Sequence, residues 1–163
     1  MRKKLSVNNK LLSEEQIIQK LETFCAYQER CLADIKKKMK SLGVEATEEQ
    51  FFIDYLKENN FYNEDRFVEK YIHGKLSIKK WGKFKIQQQL KAKQINSTQI
   101  AQELNNIDDI VYLETLNNIL LKKNNVLKEE NLQKRKQKLI IYAQQKGFEL
   151  DLILNAIKKL KLA

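Results

Sequence analysis

The pattern that most constrains the fold of this chain occurs three times. Ile35 and Met39 are followed by Gly43 and Val44, so that two apolar residues four apart precede a stop signal and a further apolar residue. The same spacing recurs at Ile86–Leu90–Gln94-Ile95 and at Leu139–Ala143–Gly147-Phe148. The first residues of the three copies are separated by 51 and 53 positions. This period indicates tandem units of about three helices that stack on their neighbours.

Helix formers and helix start signals dominate the chain. It has no proline and four glycines in 163 residues, and it lacks the sustained two-residue alternation that predicts strands. Ser13-Glu14-Glu15-Gln16 and Thr47-Glu48-Glu49-Gln50 both have the capping-box pattern that begins a helix. One helix is predicted to end near His73-Gly74, the next to run from Ile78 past Gly82, and Asn124-Asn125 to be a loop.

These signals predict an all-α protein of about nine to ten helices arranged as tandem three-helix repeats. The predicted organisation is an N-terminal tail at residues 1–12 and three repeats at 13–60, 61–107 and 108–163. Hydrophobic residues make up 42% of the chain, which is enough for a buried core.

Positive charge is concentrated at equivalent positions of the three copies. The formal net charge is +10, and residues 70–102 contain eight lysines and no acid. Such clusters are most often solvated faces, but three in matching places favour a surface that binds a polyanion. We call the predicted set the basic stripe. It comprises Lys36, Lys37, Lys38, Lys75, Lys79, Lys80, Lys83, Lys85, Lys91, Lys134, Arg135, Lys136 and Lys138.

Three aromatic residues lie among these basic side chains. Trp81 and Tyr142 have the helical spacing of core residues, whereas Phe84 is a candidate for stacking on a nucleic-acid base. Lysines greatly outnumber arginines in the stripe, which favours contacts to a phosphate backbone over readout of base sequence.

The sequence argues against an enzyme, a metal site and a cofactor. Cys25 and Cys31 lack metal-ligand spacing, His73 is the single histidine, and no glycine-rich phosphate loop is present. Glu64 and Asp65 are adjacent and therefore form a poor acid–base pair. No apolar run reaches membrane-spanning length and no signal peptide is recognisable, which predicts a cytoplasmic protein with no membrane partner.

The middle of the chain contains the segment "FIDYLKENNFYNEDRFVEKYI" followed by "KKWGKFKIQQQLKAKQIN". These two segments resemble the RecX family, bacterial regulators of the RecA recombinase. Within them, the family's inter-repeat joint is matched by Phe61, Tyr62, Asn63, Glu64, Asp65, Arg66 and Phe67, and its aromatic–glycine pair by Trp81-Gly82. "LADIKKKMKSLGVEATEEQ" and "QKRKQKLIIYAQQKGFELDLILNAI" resemble the first and third repeats. The likeness covers about residues 25–160, but Asn60 and Gln94 stand where the family usually has glycine and Val68 where it has alanine.

The resemblance implies an elongated, curved array of three-helix repeats that binds the groove of the RecA–DNA filament. It implies modulation, usually inhibition, of RecA ATPase activity and strand exchange in recombination and the SOS response, and direct binding to single- or double-stranded DNA. A monomer is expected because the repeats stack on one another. The principal alternative is a stand-alone, sequence-nonspecific DNA-binding protein. A membrane-surface protein is disfavoured because the core needs the apolar helix faces.

Overall fold

All regular secondary structure is helical in the part of the chain that the structure describes. The computed structural model describes residues 12–162, which form nine α-helices and no strand. The helices are α1 Glu14–Tyr27, α2 Leu32–Ser41, α3 Glu49–Glu58, α4 Glu64–Ser77, α5 Lys83–Ala92, α6 Ser97–Asn105, α7 Asp109–Val126, α8 Leu132–Lys146 and α9 Leu150–Lys159. The prediction of an all-α fold is confirmed. The chain divides into two compact units, Met1–Glu64 and Asp65–Ala163, while the predicted repeat boundaries stay predictions.

The repeated sequence pattern corresponds to a repeated helix ending. The residue at each stop position has a left-handed backbone, with φ of 83° at Gly43, 65° at Gln94 and 96° at Gly147. The next amide donates to the carbonyl five residues earlier, in the pairs Val44–Met39 (3.1 Å), Ile95–Leu90 (3.2 Å) and Phe148–Ala143 (3.1 Å). This is the hydrogen bond of a Schellman ending. The first residues of the three copies, Ile35, Ile86 and Leu139, are fully buried. In each copy the first residue of the pattern is therefore a core residue, and the stop position is where the helix ends.

The left-handed glutamine at the end of α5 gives a direct test of this ending. Gln94→Gly is expected to raise the free energy of unfolding by about 0.5–1 kcal/mol, because glycine adopts this conformation without a clash at Cβ. Urea denaturation followed by circular dichroism measures the change. The reciprocal variant is Gly43→Gln, where an added Cβ meets no atom within 4 Å, and it is expected to lose a similar amount. A loss of stability in Gln94→Gly would contradict the strain argument.

The first unit is built around a core from α1, α2 and α3. Leu21, Met39 and Leu56 are buried at its centre. The capping box of α1 is confirmed, because the Ser13 hydroxyl accepts from the Gln16 amide and the Gln16 side chain accepts from the Ser13 amide.

The second predicted capping box, at Thr47, is wrong. Helix α3 begins at Glu49, and Glu48 occupies its N-cap position with a helical backbone. The Glu48 carboxylate accepts a hydrogen bond from the Glu45 amide at 3.2 Å. The Glu48 amide also donates to the Glu45 carbonyl at 3.0 Å, so that residues 45–48 form a closed turn and α3 begins only after it.

Residues of the predicted joint belong to the end of the first unit and the start of the second. Asn60 takes the left-handed conformation (φ 60°). Tyr62 is part of the core cluster of the first unit, Phe61 packs against that cluster, and the Tyr62 hydroxyl donates to Glu64 at 2.9 Å. Asn63 in the first unit is exposed, whereas in the second unit Arg66 is half-buried and Phe67 is buried. The role of these residues as an inter-repeat joint stays a prediction.

Two predicted helix boundaries are wrong. Helix α4 continues through Gly74 to Ser77 instead of ending near His73, and α5 starts only after Gly82, its N-cap residue. Leu76 is buried, so packing carries α4 past Gly74 at a cost of about 1 kcal/mol. The predicted loop at Asn124-Asn125 is the last turn of α7.

In the second unit, the start of α5 is joined to the end of α8 by backbone hydrogen bonds. The Gly82 amide donates to the Lys146 carbonyl at 2.8 Å, and the Phe84 amide donates to the Gly147 carbonyl at 3.1 Å. Backbone carbonyls at the C-terminal end of α8, which have no partner within their helix, accept from backbone amides at the N-terminal end of α5. The negative end of one helix dipole thus meets the positive end of the other. A Cβ on Gly82 would overlap the Gly147 carbonyl, and a Cβ on Gly147 would overlap Lys85. Both positions therefore require glycine.

A buried tyrosine completes this junction. The Tyr112 hydroxyl accepts from the Lys83 amide at 2.9 Å and donates to the Glu149 carboxylate at 2.6 Å. Burial, with the hydrogen bond to Glu149, raises the pKa of Tyr112 above its ordinary value. The hydroxyl therefore stays protonated and links α5, α7 and the start of α9.

Candidate nucleic-acid interface

A groove in the second unit lies between α5 and the C-terminal end of α8. Its volume is about 490 Å³, and the residues that line it are Phe84, Lys85, Gln87, Gln88, Lys91, Gln144, Gln145 and Gly147. Among the described residues, this lining includes two lysines and no acid. The groove exists because Gly82 and Gly147 bring the two helices into backbone contact. We call it the basic groove.

One wall of the basic groove is a single face of α5. Phe84, Gln88 and Lys91 lie four and three residues apart and therefore project to the same side of the helix. Phe84 is 60% exposed, and Lys91 is exposed as well. Exposed aromatic and lysine side chains on one face are the elements that bind bases and phosphates of single-stranded nucleic acid.

Lys85 has a structural contact besides its place in the groove. Its ammonium group donates to the Gln145 carbonyl at 3.2 Å and lies 4.9 Å from the centre of the Trp81 ring. These two contacts hold the Lys85 ammonium group in place beside the groove.

The other two aromatic residues are partly buried and carry cations on their rings. Trp81 has the ammonium group of Lys75 at 5.0 Å from its ring centre, in addition to that of Lys85. Tyr142 has Lys123 at 5.2 Å and Lys146 at 5.9 Å. These two rings hold lysines in place, which leaves the more exposed Phe84 as the aromatic side chain best placed for a ligand.

The other stripe residues of the second repeat lie outside the lining of the basic groove. Lys79 is exposed, and Lys80 is half-buried with a left-handed backbone (φ 56°). Lys83 has its ammonium group 4.9 Å from the Tyr112 ring, and Lys75 lies 4.9 Å from the Tyr71 ring. Lys79 is therefore the exposed lysine of these four, whereas Lys75 and Lys83 contact aromatic rings and Lys80 is half-buried.

The stripe residues of α8 divide into ligand-accessible and structural groups. Lys134 is exposed and Lys136 is half-buried. Lys138 forms an ion pair with Glu129 at 2.8 Å, and this hydrogen bond holds the pKa of Glu129 below its ordinary value. Arg135 donates to the Asn124 side chain at 2.7 Å and to the carbonyls of residues 124, 127 and 129. Its donors therefore fix the connection between α7 and α8.

In the first unit, the three stripe lysines lie on α2. Lys37 is exposed, whereas Lys36 pairs with Glu49 at 3.3 Å and Lys38 lies 5.7 Å from the Phe24 ring. Their alignment with the lysines of the second unit stays a prediction.

The glutamines of the basic groove were missed by the sequence analysis. Gln87, Gln88, Gln144 and Gln145 supply amide donors and acceptors on both walls. The signal was present in the two glutamine-rich stretches "QQQ" and "QQ", but only the packing of α5 against α8 brings them together.

Both cysteines are buried and form no disulfide bond. Burial raises the pKa of the Cys25 thiol to about 11, and the Cys31 thiol donates to Asp34 at 3.1 Å. Within residues 12–162, no cluster of three or more metal-ligating side chains is arranged to hold an ion. The helices of this range also lack the length and apolar character needed to cross a bilayer.

Fold and groove together define a class: an all-helical protein of tandem three-helix repeats, with a groove between two of them whose described lining contains lysines and no acid. Family models match in the corresponding places, with "RecX, second three-helix domain" at residues 63–104 and "RecX, third three-helix domain" at residues 111–157. Together the two matches cover more than half of the chain. The chain therefore belongs to the RecX family, which confirms the resemblance seen in the sequence.

Named relatives agree with this assignment, and a solved structure shares the fold. The chain is 30% identical to the regulatory protein RecX of Clostridioides difficile strain 630 over 108 residues, covering 66% of this chain and 51% of that protein. It is 29% identical to that of Clostridium perfringens strain 13 over 129 residues, covering 78% and 60%. The crystal structure of RecX from Lactobacillus salivarius superimposes with a TM-score of 0.81 at 20% identity, over 91% of this chain and 97% of that one. The chain thus spans about half to three fifths of these two named relatives' length.

Proposed function

We propose that this chain is a non-enzymatic regulator that binds the filament of a RecA recombinase on DNA and modulates, most simply inhibits, its ATPase activity and strand exchange. Family membership supports the regulatory role, since the named relatives are regulatory RecX proteins. The RecA–DNA filament as partner follows from the family resemblance. The proposal includes action in the cytoplasm during recombination and the SOS response.

The observation that carries the proposal is the basic groove. Lys85 and Lys91 offer cations to phosphates, Phe84 offers a ring face to a base, and the glutamine amides offer hydrogen bonds. A polyanion that enters this groove meets no carboxylate from its described lining. The exposed lysines Lys37, Lys79 and Lys134 extend the proposed contacts, whereas Arg135 is assigned to the structure of the α7–α8 connection.

The proposal is tested with a RecA protein assembled on single-stranded DNA. ATP hydrolysis and strand exchange are measured while this protein is titrated in, and both rates are expected to fall as it occupies the filament. If the protein binds DNA at the same concentrations but leaves both rates unchanged, the regulator proposal fails. That result would favour the alternative, a stand-alone DNA-binding protein, for which the exposed Phe84 ring is the supporting feature.

Replacing the exposed aromatic residue tests the proposed stacking contact. Phe84→Ala is expected to weaken binding to single-stranded DNA about tenfold, because loss of one base–aromatic stack costs roughly 1–3 kcal/mol. Fluorescence anisotropy with a labelled oligonucleotide measures the affinity. Tyr27→Ala is the matched control, since Tyr27 is 83% exposed in the first unit, and it is expected to bind like the unchanged protein. Unchanged affinity of Phe84→Ala would remove stacking from the proposal.

A further inference from the structure

A second groove in the second unit has the opposite character to the basic groove. It lies between α4, the end of α6 and the start of α7, has a volume of about 820 Å³ and is larger than the basic groove. Its lining includes the aliphatic side chains Ile72, Leu76, Ile107 and Val111. We call it the acidic groove, because it is also lined by three carboxylates, Glu69, Glu103 and Asp108.

The acidic groove contains more acidic than basic side chains, although the whole protein is strongly basic. Glu69, Glu103 and Asp108 share the lining with Lys70 and His73, whereas the chain as a whole carries a formal net charge of +10 with histidine neutral. A local excess of carboxylates in such a basic protein favours a cationic occupant. A nucleic acid would be repelled there.

Two of the three carboxylates are held in place by hydrogen bonds. Asp108 caps α7 by accepting from the Val111 amide at 3.0 Å, and Glu103 accepts from the Asn106 side chain at 3.3 Å. Fixed carboxylates lose little side-chain entropy when they meet a cation, so they recognise charge better than mobile ones.

The apolar lining gives the occupant its shape. Along α4, Glu69, Ile72, His73 and Leu76 occupy positions i, i+3, i+4 and i+7, a stripe of about 10 Å, or two helical turns. Ile72 and Leu76 are buried at the base, and Val111 is 51% exposed at the opening. A groove of this length with an aliphatic base and an acidic rim is complementary to a short helix that carries aliphatic residues on one side and Lys or Arg beside them.

We propose that the acidic groove docks a basic amphipathic helix of a partner protein. This surface is separate from the basic groove, so that the second unit has one site for a polyanion and one for a cationic peptide. The two sites share no lining residue among those described.

The proposal is tested with the full-length protein and a synthetic 14-residue helical peptide that has leucines at positions i, i+3, i+4 and i+7 and lysines elsewhere. Binding is measured by fluorescence anisotropy at physiological salt, and the contact surface by methyl NMR. The largest shifts are expected at Ile72, Leu76, Ile107 and Val111. Shifts centred on other methyl groups would overturn the proposal.

Neutral variants separate the groove from general charge. The triple variant Glu69→Gln, Glu103→Gln and Asp108→Asn keeps the cap of α7, since asparagine caps as well as aspartate. The affinity for the peptide is expected to fall about tenfold, because three partly exposed charge contacts of roughly 0.5 kcal/mol each are lost. The control variant Asp109→Asn, Glu114→Gln and Glu130→Gln changes the net charge equally at exposed sites outside the groove lining. Equal weakening by both variants would overturn the proposal.

A single blocking variant tests the apolar part of the groove. Val111→Lys places a cation at the opening and is expected to reduce peptide binding at least tenfold, whereas Ile141→Lys on α8, at a residue 53% exposed, is expected to leave it unchanged. Sedimentation of the free protein identifies the other occupant. Self-association that Val111→Lys abolishes would show that the groove receives a second copy of this chain, and would overturn the assignment to a partner helix.

Discussion

Changing Gln88 and Lys91 together to glutamate is expected to weaken binding to single-stranded DNA on the order of 100-fold at low salt. Both side chains are exposed on the α5 wall of the basic groove. The double variant removes one cation and adds two carboxylates to a lining that has none among the described residues. Repulsion of phosphates then replaces attraction at the centre of the groove. The proposed inhibition of RecA ATPase activity is expected to be largely lost in the same variant.

A matched control decides whether the basic groove or the overall charge binds the ligand. Asn118→Asp with Lys122→Glu makes the same net charge change at two exposed positions of α7. Its affinity is expected to fall by less than about threefold, because salt screens charges that are distant from the phosphates. Circular dichroism confirms equal helicity. Equal losses in the two variants would mean that positive charge acts diffusely and that the basic groove is not the binding site.

Gly82→Ala is expected to lower the free energy of unfolding of the second unit by about 3 kcal/mol. The new Cβ would overlap the Gly147 carbonyl, so that α5 and α8 must separate. Separation breaks the hydrogen bonds from the Gly82 and Phe84 amides and leaves those groups without partners. Urea denaturation measures the loss. Nucleic-acid binding should weaken as well, because the basic groove lies between the same two helices.

Gly74→Ala is the control for this substitution. Gly74 lies inside α4, and a Cβ there meets no atom within 4 Å. Alanine is favoured over glycine in a helix interior, so this variant is expected to gain about 0.5–1 kcal/mol. If Gly82→Ala were as stable as Gly74→Ala, the close approach of α5 and α8 would not be a requirement of the fold.

The errors in helix boundaries show how far local signals reach. The capping box at Ser13 forms, whereas the equivalent signal at Thr47 does not, because Glu48 closes the preceding turn instead. Gly74 and Gly82 look alike in sequence, yet α4 passes through one and α5 begins after the other. Burial of Leu76 and backbone contacts to the third repeat decide between them.

The basic stripe as a binding surface stays a prediction, but the structure shows which contacts its side chains make. Phe84, Lys85 and Lys91 lie together in the basic groove. Arg135 instead donates to backbone carbonyls, and Lys138 pairs with Glu129. A charge run in the sequence states how many cations a helix carries, but each side chain's contacts depend on what packs beside the helix.

What the sequence alone determined is the helical class, the threefold pattern of buried residues and left-handed stops, and the family. These properties depend on helical periodicity, glycine placement and short motifs, which act within about one helix of the residue concerned. Only the tertiary structure decided the junction of α5 with α8 and the two grooves of opposite charge. The contact from Lys85 to Gln145 joins residues 60 positions apart in the sequence. No local sequence pattern specifies a contact over such a separation. Gly147 is a stop signal in the sequence, but the steric need for glycine at both 82 and 147 follows only from the close approach of the two backbones.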